Sequence, residues 1–298
     1  MAFALWPFAA WPFALGPERR ASLDGMSIPP IVSADWLAQR FDDVVIADVR
    51  WYPDGSDPLD AYRNSHLWGA VFVDVDRDLA APATAADGRH PMPTPEAFAA
   101  TMGRLGIGDD TTVVAYDDQH GSRAARLVWM LRILGRPAAV LDGGLIGWRG
   151  AKTEGDPVPR AAAHFTTTPW PADRLATADD VAALGSGAVL IDARQHARFT
   201  GEDRNPLDPQ PGHIPGAVNI EWPANMSETG HFLPADRLRT RYAVVAEAED
   251  VVVYCGSGVT GCHDVLALEA IGVENVKLYA GSWSQWASDS SRPIATGP

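Results

Sequence analysis

The sequence predicts an α/β protein made of two tandem copies of one domain, each a parallel sheet with helices on both faces. Short runs of β-branched and aromatic residues alternate with stretches of helical spacing, which is the pattern of a parallel sheet covered by its crossover helices. Several segments recur in order at a nearly constant offset. The length of 298 residues leaves room for two domains of ordinary size.

The internal repeat pairs four segments of the first half with four of the second. An offset of 138 residues separates Asp117 from Cys255 and also Trp148 from Trp286. The matched pairs are VVIADVR at 44–50 with VLIDAR at 189–194, SHLWGAVFVD at 65–74 with GHIPGAVNIE at 212–221, TVVAYD at 112–117 with DVVVYC at 250–255, and LDGGLIGW at 141–148 with YAGSWSQW at 279–286. Ordered matches of this kind indicate a duplicated domain.

Domain boundaries follow from the duplication. The apolar run within residues 1–25 is broken by Pro7 and Pro12, and no Lys or Arg precedes it, so we expect a loose N-terminal extension. We predict the first domain at 26–153, a linker rich in Pro, Ala and Thr at 154–173, and the second domain at 174–298. Helical spacing predicts helices at 33–40, 95–105 and 123–134, and at 178–184, 237–246 and 263–271.

The composition excludes several classes of partner. The net charge is −14 and the pI is near 4.9, so neither nucleic acid nor an anionic membrane surface is an expected partner. Two cysteines in a chain of this length do not form a disulfide framework. We therefore expect a reducing compartment, the cytoplasm.

The sequence VVVYCGSGVTGC places a cysteine where a buried strand gives way to a helix. Cys255 follows the strand, and the loop Gly256, Ser257, Gly258, Val259 and Thr260 precedes the helix. Backbone N–H groups of such a loop, together with the helix N-terminus, lower the pKa of a thiol and favour its nucleophilic thiolate. We also expect a reactive thiol to be open to solvent. The alternative is a packed cysteine beside a glycine turn, which is what we expect for Cys262.

The first copy differs at the position of the cysteine. Asp117 stands there, and a carboxylate cannot act as a sulfur nucleophile, so we expect a single active site, in the second half. A cysteine-based phosphatase needs an arginine six residues after its cysteine to hold phosphate. That position holds Gly261, so the sequence excludes a cysteine-based phosphatase.

The paired Asp-x-Arg strand ends, the paired H-[IL]-x-G-A segments and the single CGSGVT loop resemble a tandem-domain rhodanese-family sulfurtransferase of the 3-mercaptopyruvate or thiosulfate type. The resemblance covers roughly residues 28 to 296. It implies two rhodanese-like domains, the first inactive, and a persulfide carried on Cys255. The sulfur would come from a small anionic donor and pass to cyanide or to a thiol acceptor such as thioredoxin, and no metal or organic cofactor is required.

The loop sequence bears on the choice of donor. Ser257 resembles the 3-mercaptopyruvate enzymes, whereas thiosulfate enzymes usually carry a lysine two positions further on. The resemblance therefore favours 3-mercaptopyruvate as the donor. A thiosulfate:cyanide sulfurtransferase is the alternative enzyme. A non-catalytic persulfide carrier or binding module is the alternative from another class.

The resemblance also implies substrate-binding residues. Arg198 matches the family's A-R-F arginine and suits a carboxylate; a plain surface arginine is the alternative. A second family arginine falls on Leu207 here, with Arg204 as a possible substitute. His66 matches the histidine of a proton relay to the loop serine, with Asp57 or Asp60 as its acidic partner. However, His213 occupies the equivalent place in the second copy, so the alternative is that this histidine holds the turn in both domains.

Two further arginines follow the strand-end aspartates. Arg50 and Arg194 occupy the same position in the two copies, each two residues after an aspartate. An arginine that both copies keep, including the copy without the cysteine, does not depend on the cysteine's chemistry. We expect both to be structural.

Overall fold

The computed structural model describes residues 28–84, 86–274 and 276–298, so the extension predicted at 1–25 lies outside the described residues. The first half contains the strands β1 Ile31–Val32, β2 Val45–Asp48, β3 His66–Leu67, β4 Val71–Phe72, β5 Val113–Tyr116, β6 Ala138–Leu141 and β7 Lys152–Thr153. The second half contains β8 Leu175–Ala176, β9 Ala188–Asp192, β10 Val218–Asn219, β11 Asp250–Tyr254 and β12 Val276–Tyr279.

Helices separate most of these strands. They are α1 Ala34–Ala38, α2 Pro58–Asn64, α3 Val75–Asp78, α4 Pro95–Arg104, α5 Ala124–Ile133, α6 Gly144–Gly147, α7 Ala178–Ala182, α8 His196–Thr200, α9 Ala235–Arg241, α10 Gly261–Ala270 and α11 Ser282–Trp286. The six helices predicted from spacing are all present. The helix predicted at 237–246 is divided, because a 3₁₀ turn, Ala243–Val245, follows α9. Within the described ranges, no helix is long and apolar enough to cross a membrane.

The strands form two parallel sheets of the same topology. The first has the order β1-β6-β5-β2-β4 and the second the order β8-β12-β11-β9-β10. Matching strands of the sequence repeat thus occupy matching places, and β3 pairs separately with β7 in antiparallel register. The prediction of a duplicated α/β fold with parallel sheets is confirmed.

Strand β11 brings Cys255 to the seam between the two halves. Val251 and Val253 lie in an apolar core that both halves share, where α5 packs on α10. Val252 and Tyr254 lie in a separate core on the other face of the second sheet. Because side chains alternate along a strand, the residue after Tyr254 returns to the shared face. Cys255 therefore faces the first half of the chain.

A buried ion pair is repeated at the ends of β2 and β9. Arg50 donates to both oxygens of Asp48 at 3.0 and 2.8 Å, and Arg194 contacts Asp192 at 2.7 to 3.1 Å. All four side chains are at most 4% exposed. Each pair fixes the chain just beyond a strand end, and breaking either would leave a buried charge without its partner. The structural role predicted for Arg50 and Arg194 is confirmed.

The segment predicted as a linker lies against the first half. Phe165 is buried and packs edge-on against Phe98 of α4, and Trp170 packs on the same ring. The Ala163 N–H also donates to the Gly103 carbonyl at 2.9 Å. These contacts fix the path by which the chain leaves the first sheet for the second.

Candidate active site

Cys255 directly follows β11, and the loop 256–260 leads into α10. Gly258 has a φ of +75°, and a Cβ there would lie 2.4 Å from the Ala280 carbonyl oxygen, so the turn requires glycine. Val259 packs into the shared core and anchors the far side of the loop. The turn carries the Gly258 N–H to 3.2 Å from the Cys255 Sγ atom.

The surroundings of the thiol favour its ionised form. Burial alone would raise the pKa of Cys255. The Thr260 hydroxyl and the backbone N–H groups of Ser257, Gly261 and Gly258 all favour the thiolate, and together they outweigh burial. The pKa of the thiol is therefore lowered, as a nucleophilic cysteine requires.

Cys262 has a different environment on α10. It is fully buried, and its thiol donates to the Gly258 carbonyl at 3.3 Å. Burial raises the pKa of this thiol well above its ordinary value. Cys262 is thus the packed cysteine that the sequence predicts, and only Cys255 has the character of a nucleophile.

The corresponding loop of the first half is occupied by its own carboxylate. Asp117 Oδ1 accepts from the N–H groups of Gln119 and Gly121, both at 2.8 Å. Its Oδ2 accepts from those of Arg123 at 2.7 Å and Ala124 at 3.0 Å. Four backbone donors thus converge on one anion at the start of a helix. This arrangement shows that the turn shared by both halves binds negative charge.

A hydrogen-bonded chain of three side chains meets the cysteine loop from the first half. His90 Nδ1 lies 2.7 Å from Ser257 Oγ, and His90 Nε2 lies 2.8 Å from Asp76 Oδ1. The other oxygen of Asp76 accepts from the indole N–H of Trp51 at 2.9 Å. His90 is buried, and the Trp51 ring packs edge-on against it.

The charge states of His90 and Asp76 fix which atom donates in each of these hydrogen bonds. Burial lowers the pKa of His90 despite the hydrogen bond to Asp76, and that same bond lowers the pKa of Asp76. An ionised carboxylate only accepts, so the His90 Nε2 atom carries the proton and its Nδ1 atom accepts from the Ser257 hydroxyl. The chain can therefore take a proton at Ser257 and stabilise it near Asp76.

The structure does not bring the residues first proposed for a relay, His66 and Asp60, to the loop serine. His66 stacks on Tyr62 with ring centroids 3.7 Å apart, and its Nδ1 atom bonds to the Tyr62 carbonyl at 2.8 Å. His213 makes the same two contacts with Phe199. Asp60 is exposed and pairs with Arg63. The placing of His66 and Asp60 beside the loop serine is thus corrected, because His90 and Asp76 form the hydrogen-bonded chain to Ser257.

Arg198 lies beside the cysteine loop, as predicted, but it is already paired. Its Nε and Nη2 atoms donate to the two oxygens of Asp208 at 2.8 and 2.6 Å. Its Nη2 atom also lies 3.0 Å from the point that a Cβ on Gly256 would occupy. Arg204 is exposed and forms none of the side-chain bonds found among the described residues. The structure therefore places Arg198 beside the cysteine loop, whereas Arg204 makes no side-chain bond to that loop among the described residues.

Cys255 is only 1% exposed, contrary to the expectation of an open thiol. At the next residue, Gly256, the guanidinium groups of Arg89 and Arg198 both lie within 3.0 Å of the position of a Cβ. Arg89 belongs to the first half and was missed by sequence reasoning. Two cations, one from each half, therefore lie beside the residue that follows the thiol.

Comparisons with known proteins identify the family of this chain. The family model of the rhodanese-like domain matches residues 33–151 and again residues 177–289. A probable 3-mercaptopyruvate sulfurtransferase of Pseudomonas aeruginosa is 40% identical over 285 residues, which span 91% of this chain and 100% of that protein. A putative thiosulfate sulfurtransferase of Mycobacterium tuberculosis is 38% identical over 269 residues, which span 88% of this chain and 94% of that protein.

A solved structure shows the same arrangement of both halves. The crystal structure of SseA from Escherichia coli, a 3-mercaptopyruvate sulfotransferase described as having the rhodanese fold, superposes with a TM-score of 0.74. The superposition covers 86% of this chain and 99% of that one, at 34% identity. The family model matches most of the chain, once in each half. The chain belongs to the rhodanese-like domain family and carries two such domains, as the resemblance in its sequence implied.

Proposed function

We propose that this protein is a sulfurtransferase in which Cys255 takes a sulfur atom from a small anionic donor, with 3-mercaptopyruvate as the preferred donor. One observation carries the proposal. A thiol of lowered pKa lies in a loop whose serine begins a hydrogen-bonded chain to His90 and Asp76. The nucleophile and the first group of a proton relay are thereby held in a single loop.

The proposed reaction balances with the groups present. The Cys255 thiolate attacks the thiol sulfur of the donor, forming an S–S bond while the donor's C–S bond breaks. The electron pair of that bond leaves as the enolate of pyruvate, which takes up a proton to give pyruvate. Cys255 then holds a persulfide. We propose reduced thioredoxin or a similar thiol as the acceptor. Its thiolate attacks the outer sulfur and the S–S bond of the persulfide breaks, so the acceptor becomes a persulfide and Cys255 is released as its thiolate.

The relay favours 3-mercaptopyruvate over thiosulfate. A thiol-bearing donor has a proton to move, and Ser257 can take it as its own proton passes to His90. When thiosulfate is the donor, sulfite is the leaving group and there is no thiol proton for the relay to accept. The loop from Gly256 to Thr260 also has no lysine to meet a doubly charged donor. Thiosulfate remains the second candidate donor because the relative from Mycobacterium tuberculosis carries that name.

We further propose that the first domain, predicted at 26–153, has lost sulfur chemistry and that the second, at 174–298, carries it. The support is the pair of equivalent loops. In the first half the converging N–H groups hold Asp117. In the second half they face the thiol that is to carry the persulfide.

The test measures sulfur transfer with both donors and the mass of Cys255 after each. The native protein should gain the mass of one sulfur atom with 3-mercaptopyruvate and turn over with a thiol acceptor. Cys255→Ser should do neither, while Cys262→Ala should do both. Turnover by Cys255→Ser would refute the assignment. A persulfide accepted only from another protein, never from a small donor, would instead favour the carrier.

His90 variants separate the two donors. His90→Gln should lower kcat with 3-mercaptopyruvate by about 10²- to 10⁴-fold, the usual contribution of a positioned proton-transfer group. The effect with thiosulfate should be much smaller. His66→Gln is the matched control, since its ring contacts Tyr62 rather than the cysteine loop. Equal losses with both donors would show that His90 only holds the fold.

A further inference from the structure

Arg89 reaches the cysteine loop from the first half of the chain. Its backbone N–H donates to Ser284 Oγ of α11 at 3.0 Å, which fixes the residue on the second half. Its Nη1 atom donates to the carbonyl of Leu207. Its Nη2 atom lies 2.9 Å from the point that a Cβ on Gly256 would occupy. The side chain thus extends over the residue that follows the catalytic cysteine.

Arg89 and Arg198 converge on one point from opposite halves. The Nη2 atom of Arg198 lies 3.0 Å from the same Cβ position on Gly256. The two guanidinium groups therefore face a common space next to the thiol. Two cations meeting there repel each other and gain from an anion placed between them.

The two arginines differ in what balances their charge. Arg198 is paired with Asp208 through two short hydrogen bonds. Arg89 forms no ion pair with a carboxylate among the described residues, and its buried Nε atom has no hydrogen-bond partner there. Burial lowers the pKa of Arg89, while the negative charges of Asp208 and Cys255 oppose that shift. A largely buried cation with a free donor is set to receive an anion.

We propose that Arg89 binds the carboxylate of the sulfur donor, so that the donor site is shared between the two halves of the chain. This inference rests on the proposed sulfurtransferase function and names the donor class, a small monocarboxylate whose sulfur is a few bonds from its charged end. When the donor sulfur meets Cys255, its carboxylate falls in the space that Arg89 and Arg198 face. Arg89 supplies a charge that is not already neutralised, and Arg198 borders the other side.

The experiment compares Arg89→Met and Arg89→Lys with Arg63→Met. Arg63 is a matched control because it is an exposed arginine of the first half that pairs with Asp60 and Asp156. The measurements are kcat and KM for 3-mercaptopyruvate and thiosulfate, KM for the thiol acceptor, and the dissociation constant of pyruvate by calorimetry. Pyruvate keeps the carboxylate of the donor but has no sulfur, so its dissociation constant measures carboxylate binding in the absence of a reaction.

Arg89→Met should raise the KM for 3-mercaptopyruvate and the dissociation constant of pyruvate by about 10- to 100-fold, the usual effect of a lost charge-assisted hydrogen bond. The acceptor KM and the kcat of Arg89→Met should stay within a few-fold of the native values. For Arg89→Lys, the donor KM and the dissociation constant of pyruvate should lie between those of the native protein and of Arg89→Met. A rise confined to thiosulfate would assign Arg89 to an oxyanion other than a carboxylate and overturn the proposal.

Other outcomes are equally decisive. Pyruvate that binds the native protein no better than Arg89→Met would overturn the proposal, as would an equal rise in the donor and acceptor KM. If Arg89→Met does not fold, the same constants are measured for Arg89→Lys, because lysine keeps the positive charge and loses the paired N–H donors of the guanidinium. Failure of the native protein to form a persulfide would instead refute the proposed function, and pyruvate binding would still decide the role of Arg89.

Discussion

At the scale of single residues, the balance at Cys255 decides whether the protein can do chemistry. Burial opposes the thiolate, and a hydroxyl and three backbone N–H groups favour it. The second effect is the larger, because donors at fixed positions act on the charged form directly. The same buried setting without such donors leaves Cys262 protonated. The two cysteines thus form an internal comparison seven residues apart in sequence.

Alkylation of the thiol tests this balance. In a Cys262→Ala background, the rate of modification by iodoacetamide should follow a pH midpoint below about 8.5, the ordinary value for cysteine. The sign follows from the lowered pKa: the thiolate, and with it the rate, persists to a lower pH than for a free thiol. Thr260→Val should move the midpoint upward, since it removes one donor. A midpoint above the ordinary value, or no modification near neutral pH, would contradict the assignment.

At the scale of elements, the two strand-to-helix loops show how one turn serves two purposes. In the first half, Asp117 supplies both the anion and the cap for the start of α5. In the second half, the anion must come from ionisation of the thiol. The duplication has thus kept the geometry of the turn and changed the group that it holds.

Removing the carboxylate tests the structural half of this argument. Asp117→Ala leaves four converging N–H groups without an acceptor, so the free energy of unfolding should fall by roughly 3–5 kcal/mol. Asp110→Ala, an exposed position on the preceding loop, should change it by less than about 0.5 kcal/mol. Chemical denaturation followed by tryptophan fluorescence measures both. A change as small for Asp117→Ala as for the control would show that the loop holds without its anion.

Sequence patterns predicted the helices and strands because the residues within each segment favour its secondary structure. A continuous apolar run located β11, helical spacing located α10, and the contrast between Asp117 and Cys255 located the reactive loop. The contact between His90 and Ser257 joins positions 167 residues apart, and it depends on how the two halves face each other. The repeat does not single out His90 either, since HPMP at 90–93 matches HFLP at 231–234. Arg89 escaped prediction for the same reason.

At the scale of the whole molecule, one buried arginine ties the halves together at the site. Arg126 on α5 is fully buried and donates to the carbonyl groups of Leu79, His90 and Gly258, with distances of 2.9 to 3.1 Å. It therefore holds the backbone of the relay histidine and that of the cysteine loop from a single guanidinium. Its charge also favours the thiolate of Cys255. Arg126 is a positioning residue, since it touches no reacting atom.

The effect of Arg126 should appear in the chemistry more than in donor binding. Arg126→Met should lower kcat by more than about 10-fold with little change in donor KM, and it should raise the midpoint of Cys255 alkylation. Arg132→Met is the control, because Arg132 lies on the same helix and crosses the seam to Glu269 away from the loop. Steady-state kinetics and the alkylation profile measure the two effects. Parallel losses in both variants would mean that the seam is held as a whole rather than at Arg126.

The placing of the thiol between two domains has a consequence for the stability of the chain. A molecule bound there is held by groups from both domains, so their separation requires its release. Occupancy by donor or product will therefore raise the resistance of the entire chain to heat and proteases. An inhibitor that binds at this site would therefore stabilise both domains together, and a rise in melting temperature would report its binding before any turnover is measured.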